Sequence, residues 1–210
     1  MISQDSYGYG MWAVVLGLIA LSLFFVTKYL PLRTRFEKRS GGMLIAFFIA
    51  LFTEMFGFPL TIYLLSSLLG ITVPLTNEKG HLLGTLLSYL GLGNGWLIVM
   101  VASTILLLLG MRYIITGWRA VYAAEGTLVT TGIYGQMRHP QYAGIYLVII
   151  AFMIQWPTLP TLIMFPFLIA MYYGLAKREE KDVLARFPRE YGDYRERTPM
   201  FLPRLWPMPQ

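Results

Sequence analysis

Two short polar runs in this sequence carry side chains that could act together in chemistry. The first, residues 138–142, reads Arg-His-Pro-Gln-Tyr and stands directly before an apolar stretch. Pro140 suits the first turn of a helix, because no backbone N–H is needed there. The amides and dipole of a helix start attract anions, and the Arg138 guanidinium adds a full positive charge. This start could hold a carboxylate, with Gly144 allowing close approach of a ligand or backbone. Equally, Arg138 and His139 could simply anchor a helix at the membrane surface.

The second run, residues 177–182, reads Lys-Arg-Glu-Glu-Lys-Asp. At about 100° per residue, Glu180 falls on the apolar stripe of a helix through this region, and Glu179 falls at its flank. The stripe comprises Ala176, Glu180, Val183, Leu184 and Phe187. Because burying a carboxylate alone is costly, Glu180 needs a partner. Arg138, another arginine, or a bound cation or hydroxyl could supply it.

A third polar side chain, Glu54, lies near the middle of an apolar stretch. Carboxylates inside a membrane are expensive and usually face a bundle interior or a cavity. We therefore expect Glu54 to contact a polar group of a substrate or to accept a proton. The alternative is a hydrogen-bonded packing residue. Pro59 removes a backbone hydrogen bond and predicts a kink close by.

The composition places these residues in a membrane protein. The chain of 210 residues is 56% hydrophobic and 13% charged, whereas soluble domains carry roughly 25% charged residues. Because a helix needs about 20 apolar residues to cross the hydrocarbon core, we expect an all-α membrane protein with about five transmembrane helices. The predicted spans are residues 11–30, 43–69, 96–118, 142–156 and 159–176. The last two form a helical hairpin, followed by a short cytoplasmic helix at about 177–187 and then irregular chain.

The basic residues predict the orientation and argue against some partners. Of the 17 Lys and Arg residues, all but Lys79 fall on one side of the predicted spans, which the positive-inside rule assigns to the cytoplasm. The N-terminus is thus expected outside and the C-terminus in the cytoplasm. Topology and contact with anionic lipid account for the net charge of +6, so nucleic acid is not expected as a partner. With no cysteine and only His81 and His139, on opposite sides, no metal site is predicted.

Several spaced motifs together resemble the isoprenylcysteine carboxyl methyltransferase family. Phosphatidylethanolamine methyltransferases and related bacterial membrane methyltransferases share parts of this signature. It is carried by Leu-Val-Thr-Thr-Gly-Ile-Tyr at 128–134, Arg-His-Pro-Gln-Tyr-Ala-Gly at 138–144 and Glu-Glu at 179–180. Later matching positions are Leu184, Phe187, Tyr191, Tyr194 and the stretch 199–203. The resemblance covers about residues 126–204.

This resemblance implies that S-adenosylmethionine binds in a cytoplasm-facing pocket formed by the last two spans and the tail. The candidate catalytic residues are Arg138 and Glu180 from the two runs, together with Glu54. The candidate cofactor contacts are Tyr134, Gln136, His139, Tyr142, Gly144, Glu179, Glu180, Tyr191 and Tyr194. By the same analogy, His139 and Tyr142 contact the methionine portion, and the aromatic tail with Phe201 closes over the adenosine.

The chain is expected to consist of two regions with different roles. Residues 1–120 are expected to form a three-span region on the acceptor side, and residues 121–210 a methyltransferase core. The expected acceptor is lipophilic or small: a prenylcysteine carboxylate, a lipid amine or a thiol. One alternative is a nicotinamide-dependent membrane reductase of related architecture. Another is a non-enzymatic small transporter or sensor with Glu54 on its path, although no inverted repeat is visible.

Overall fold

Helices follow one another throughout the described part of the chain. The computed structural model describes residues 10–29, 35–57, 60–69 and 82–203, and no strand occurs in these ranges. The elements are α1 (Trp12–Tyr29), α2 (Arg35–Phe52), a π-helical turn (Thr53–Gly57), α3 (Leu60–Leu69), α4 (Leu82–Tyr89), α5 (Gly95–Ala123), α6 (Ile133–Gln136), α7 (Pro140–Gln155), α8 (Leu159–Arg186) and α9 (Pro188–Arg197). His81 and Pro59, both singled out in the sequence, lie outside the described residues.

Within the described ranges, four helical segments are long and apolar enough to cross a membrane. They are Trp12–Tyr29, Lys38–Gly57, Gly95–Ala123 and Leu159–Arg186. They overlap the first, second, third and fifth predicted spans, which confirms an all-α membrane protein. The bounds of the second differ: the segment ends at Gly57, whereas the predicted span of residues 43–69 also took in α3. The fourth predicted span is α7, a shorter apolar helix of 16 residues. The total of five spans therefore stays a prediction.

The chain after the last span is more helical than its sequence suggested. A separate helix at 177–187 was expected, but α8 runs without a break for 28 residues to Arg186. The reason is local: no Gly or Pro interrupts residues 175–187, and Lys, Arg and Glu are good helix formers. The tail was expected to be irregular, yet it contains α9, which starts at Pro188. Proline is favoured at that first position.

The described chain divides into two compact units. The first comprises residues 1–105 and 150–168, and the second comprises residues 106–149 and 169–210. In the first unit, α2 passes into the π-helical turn that carries Glu54. Such turns insert an extra residue into a helix and are frequent at functional sites.

Glu54 in the first unit is buried and hydrogen-bonded. Its carboxylate accepts hydrogen bonds from the Thr61 amide at 3.0 Å and from the Thr61 hydroxyl at 2.9 Å. The Thr61 hydroxyl oxygen in turn accepts a hydrogen bond from the Leu159 amide at 3.0 Å. Because Thr61 lies in the first turn of α3, the carboxylate caps that helix start. The cost of burying Glu54 is thereby offset within its own unit.

In the second unit, α5 and α7 approach closely where both carry glycine. A Cβ atom on Gly144 would lie 2.6 Å from the Gly110 carbonyl oxygen, and one on Gly110 would lie 2.7 Å from the Gly144 carbonyl oxygen. Further along α5, Gly117 leaves room for the side chains of Pro140 and Gln141. This crossing of small residues sets the position of the start of α7 against α5.

The glycine crossing yields the first prediction. Gly144→Ala should destabilise the protein by about 1–3 kcal/mol, because the added methyl group meets backbone that cannot move aside without separating the helices. The measurement is thermal unfolding in detergent. Gly192→Ala on α9 is the matched control, since no atom lies within 4 Å of its added Cβ. An equal loss of stability in both variants would show that the crossing is not tightly packed.

Candidate active site

A cavity of about 410 Å³ lies within the second unit. Its volume falls in the range of roughly 300–1,000 Å³ that is usual for small-molecule sites. The wall is built from the end of α5, the loop at 126–129, and helices α6 to α9. Of the side chains selected from the sequence, those in the wall are Tyr134, Arg138, His139, Tyr142, Glu179, Glu180, Tyr191 and Tyr194. Two runs separated by a helical hairpin in sequence thus meet around one space.

Residues 199 and 200, which follow α9, form backbone hydrogen bonds with the segment that leads into α7. The amides of Arg138 and His139 donate hydrogen bonds to the carbonyl oxygens of Pro199 at 2.9 Å and Met200 at 3.0 Å. These two amides precede the first turn of α7 and already have backbone acceptors, so an anion at this point can meet side chains rather than these amides. The expectation that the free amides of the helix start attract an anion stays a prediction.

Glu180 is the centre of the ionic contacts at the cavity. Its side chain is 4% exposed, and its Oε1 lies 3.1 Å from Arg138 Nη2 and 3.3 Å from His139 Nε2. Lys177 Nζ lies 3.5 Å from the other carboxylate oxygen. Arg138 is therefore the main partner among those considered for this buried carboxylate. The helical phase that separated Glu180 from Glu179 agrees with this placement.

Glu179 lies at the flank of the stripe and is more exposed, at 37%. Its Oε1 accepts a hydrogen bond from the Tyr142 hydroxyl. Its Oε2 lies 3.8 Å from His139 Nδ1, which is beyond hydrogen-bond distance. The two neighbouring carboxylates consequently contact opposite nitrogens of the same imidazole ring.

The His139 ring is held in a largely apolar setting. It stacks on Tyr142 at a centroid distance of 5.7 Å and lies 5.9 Å from the Phe201 ring. Burial lowers the pKa of His139 below its ordinary value, against the opposing effect of the Glu180 carboxylate. The ring is therefore neutral at pH 7. Because a carboxylate can only accept, a neutral ring donates to Glu180 in the tautomer that carries its proton on Nε2.

Three tyrosines in the wall act as hydrogen-bond donors or acceptors rather than as acids. The Tyr194 hydroxyl donates to the Tyr134 carbonyl oxygen at 2.7 Å, and the Gln141 amide donates to the Tyr134 hydroxyl. Burial raises the pKa values of Tyr134, Tyr191 and Tyr194. All three hydroxyls stay protonated across the physiological range, and they tie α6 and α9 to the start of α7.

Arg138 carries an unused donor in this wall. Its Nη1 donates to the Arg195 carbonyl oxygen at 3.0 Å, and its Nη2 contacts Glu180. Among the described residues, Nε of Arg138 is the buried side-chain polar atom without a hydrogen-bond partner. Leaving a buried donor unpaired costs about 1–3 kcal/mol. The unpaired Nε–H therefore points to a polar ligand group at this position.

Several site residues predicted from the sequence do not line the cavity. Gln136 is exposed and Gly144 packs on Gly110, and neither lines the cavity. Glu54 belongs to the first unit and is also absent from the cavity wall. Phe201 packs against His139 and against Tyr146, at 5.2 Å from the latter ring, rather than lining the cavity.

Sequence reasoning missed part of the wall. Trp118 and Val121 on α5, Asp182 and Arg186 on α8, and Gln141 all line the cavity. Gln141 belongs to the polar run 138–142, and its polar side chain in the first turn of α7 was a signal for a residue of the site. The residues of α5 carry no comparable signal, because only the packing of α5 on α7 brings them to the site.

Comparison with known proteins places the cavity in a matched region. The family model described as phospholipid methyltransferase matches residues 80–190, more than half of the chain. This region contains both polar runs and the hairpin between them.

Individual relatives are similar over shorter stretches. A nickel-cobalt-cadmium resistance protein, NccN, of Alcaligenes xylosoxydans is 37% identical over 93 residues, covering 42% of this chain and 43% of that protein. Methanethiol S-methyltransferase 2 of Bradyrhizobium diazoefficiens is 34% identical over 121 residues, covering 53% and 44%. Methanethiol S-methyltransferase of Crocosphaera subtropica is 31% identical over 128 residues, covering 59% and 49%. The matches span about half the length of these relatives.

The ionic centre of the cavity yields the second prediction. Glu180→Gln should lower stability by about 3–5 kcal/mol, because it leaves the buried Arg138 guanidinium without its counter-charge. Thermal or denaturant unfolding in detergent measures this. Glu196→Gln, which removes the same charge from an exposed position on α9, should change stability by no more than about 0.5 kcal/mol. Similar values for both variants would mean that Glu180 contributes no more than a surface charge.

Proposed function

Because this chain belongs to the phospholipid methyltransferase family, we propose that it transfers the methyl group of S-adenosylmethionine to a lipophilic or small acceptor at the membrane. The candidate acceptors are a prenylcysteine carboxylate, a lipid amine and a thiol. The observation that carries the proposal is the meeting of Arg138, His139 and Tyr142 with Glu179 and Glu180 around one cavity.

The wall chemistry fits the parts of S-adenosylmethionine. The unpaired Nε–H of Arg138 suits the methionine carboxylate, and Glu179 suits its ammonium group. Tyr191, Tyr194 and the apolar side chains of the wall offer flat surfaces for the adenosine. When bound, the sulfonium supplies an already activated methyl group. The protein then has mainly to align the acceptor and to keep water away.

The relatives bear on the nature of the acceptor. Two of them are named as methanethiol S-methyltransferases, which favours a thiol among the three candidates. Because the matches leave half of each relative uncovered, this preference rests on the shared region alone.

We propose that the cavity lies on the cytoplasmic side of the membrane. The basic residues favour a C-terminus in the cytoplasm and an N-terminus outside, so the cavity faces the cytoplasm. Residues 121–210 supply the cofactor-binding core, and residues 1–120 the side from which the acceptor arrives. Membrane lipids are then direct neighbours of the acceptor path.

Cofactor binding is the first test of this function. Purified protein in detergent should gain thermal stability with S-adenosylhomocysteine, by about 2.7 kcal/mol at a hundredfold excess over Kd. His139→Ala and Glu180→Ala should abolish the gain, whereas Glu196→Ala should retain it. Stabilisation by a nicotinamide nucleotide instead would support a reductase and contradict methyl transfer. Labelled methyl transfer to phospholipids, prenylcysteines, fatty acids and small thiols identifies the acceptor.

Glu54 has a separate test. We propose that it contacts the polar group of the acceptor, so Glu54→Gln should reduce methyl transfer at least tenfold while S-adenosylhomocysteine still stabilises the variant. Thr61→Val is the control, because it removes the hydroxyl that donates to Glu54 but keeps the carboxylate. Loss of both transfer and cofactor binding in Glu54→Gln would show that Glu54 serves the packing of the first unit alone.

A further inference from the structure

We propose that His139, oriented by Glu180, removes the proton from the methyl acceptor, and that the acceptor is therefore a thiol. This inference rests on the proposed methyl transfer and narrows its substrate class. It assigns His139 a role at the acceptor atom in addition to its place in the cofactor wall.

The orientation of the imidazole is the first argument. Glu180 Oε1 lies 3.3 Å from Nε2. Because a carboxylate can only accept, this contact favours the tautomer with the proton on Nε2 and the lone pair on Nδ1. The pair is similar to the carboxylate–histidine arrangement by which hydrolases prepare a general base, with the two ring nitrogens exchanged. Tyr142 and Phe201 pack on the ring and restrict its rotation.

The position of Nδ1 is the second argument. His139 and Glu179 both line the cavity, and Nδ1 lies 3.8 Å from Glu179 Oε2. When Nδ1 takes up a proton, the resulting imidazolium has Glu179 on one side and Glu180 on the other. The positive charges that face it are Arg138 and, from α8, Lys177, and both already contact Glu180.

The charge balance of the reaction is the third argument. A thiol enters neutral, its S–H proton passes to Nδ1, and the S–H electron pair stays on the acceptor sulfur. That sulfur forms the new bond to the methyl carbon as the carbon–sulfur bond of the sulfonium breaks, and this electron pair remains on the donor sulfur. One positive charge thus leaves the sulfonium and one appears on His139, so the cavity keeps its net charge. The imidazolium afterwards releases its proton to water.

The same reasoning disfavours the other acceptors. A carboxylate has no proton to lose at neutral pH, so a base beside it has no role. A lipid ammonium would bring a second positive charge next to the sulfonium. A neutral thiol avoids both problems.

The tautomer can be measured without any turnover. His81→Gln leaves His139 as the single histidine of the two in the chain, so ¹⁵N-histidine labelling gives one ring to observe. Long-range ¹H–¹⁵N correlation in detergent should show the proton on Nε2, and Glu180→Gln in the same background should weaken that preference. A ring protonated on Nδ1, donating to Glu179, would overturn the proposal.

The reaction test compares two thiols in one variant. His139→Gln should slow methylation of an alkanethiol, which is protonated at neutral pH, by about 10²–10⁴-fold. Methylation of an electron-poor aromatic thiol, which is already ionised, should be slowed at least tenfold less than that of the alkanethiol. The ratio between the two thiols cancels any change in cofactor affinity. Equal losses for both thiols would contradict a base role for His139.

The outcomes also separate this inference from the proposed function. Wild-type protein that binds S-adenosylhomocysteine but methylates only carboxylates or lipid amines would overturn the inference and retain methyl transfer. Wild-type protein that neither binds S-adenosylhomocysteine nor transfers a methyl group to any acceptor would overturn both.

Discussion

The buried carboxylate of Glu180 is the constraint on which the candidate site depends. A charge this well shielded from water must be compensated, and the compensation comes from Arg138 and His139 on a different part of the chain. Satisfying Glu180 therefore forces the end of α8 and the start of α7 to meet. The cavity is the space left between them, walled by α5, α6 and α9. The contacts that compensate the charge of Glu180 are therefore also the contacts that join α8 to the start of α7.

A second layer of contacts makes that meeting rigid. The tyrosines of α6 and α9 bind one another through Tyr134 and Tyr194, and the tail carbonyls bind the segment before α7. Each of these bonds joins backbone or hydroxyl groups that would otherwise be buried unpaired, so each is costly to break. A rigid wall suits a reaction in which alignment supplies most of the acceleration.

The sequence predicted the parts of this arrangement that depend on local periodicity. Apolar length located four helices of the described chain that are long enough to cross a membrane, and helical phase placed Glu180 inward and Glu179 at the flank. The sequence did not predict the features that depend on contacts with residues elsewhere in the chain. Gly144 was expected to allow close approach of a ligand or of another backbone, and only the structure shows that the neighbour is the backbone of Gly110 on another helix. The hydrogen bonds of the Arg138 and His139 amides could not be predicted either, because their acceptors, Pro199 and Met200, come much later in the chain. The partner of Glu54 could not be named from the sequence, because its hydrogen bonds from Thr61 form only once α3 starts where it does.

The two hydrogen bonds from Arg138 and His139 to the tail have a consequence for biosynthesis. Helix α8 can enter the membrane while residues 199 and 200 are still within the ribosome, since insertion needs only its apolar length. The segment that presents Arg138 and His139 lacks these two backbone acceptors until residues 199 and 200 emerge. The cavity wall is thus completed only after α8 has been synthesised.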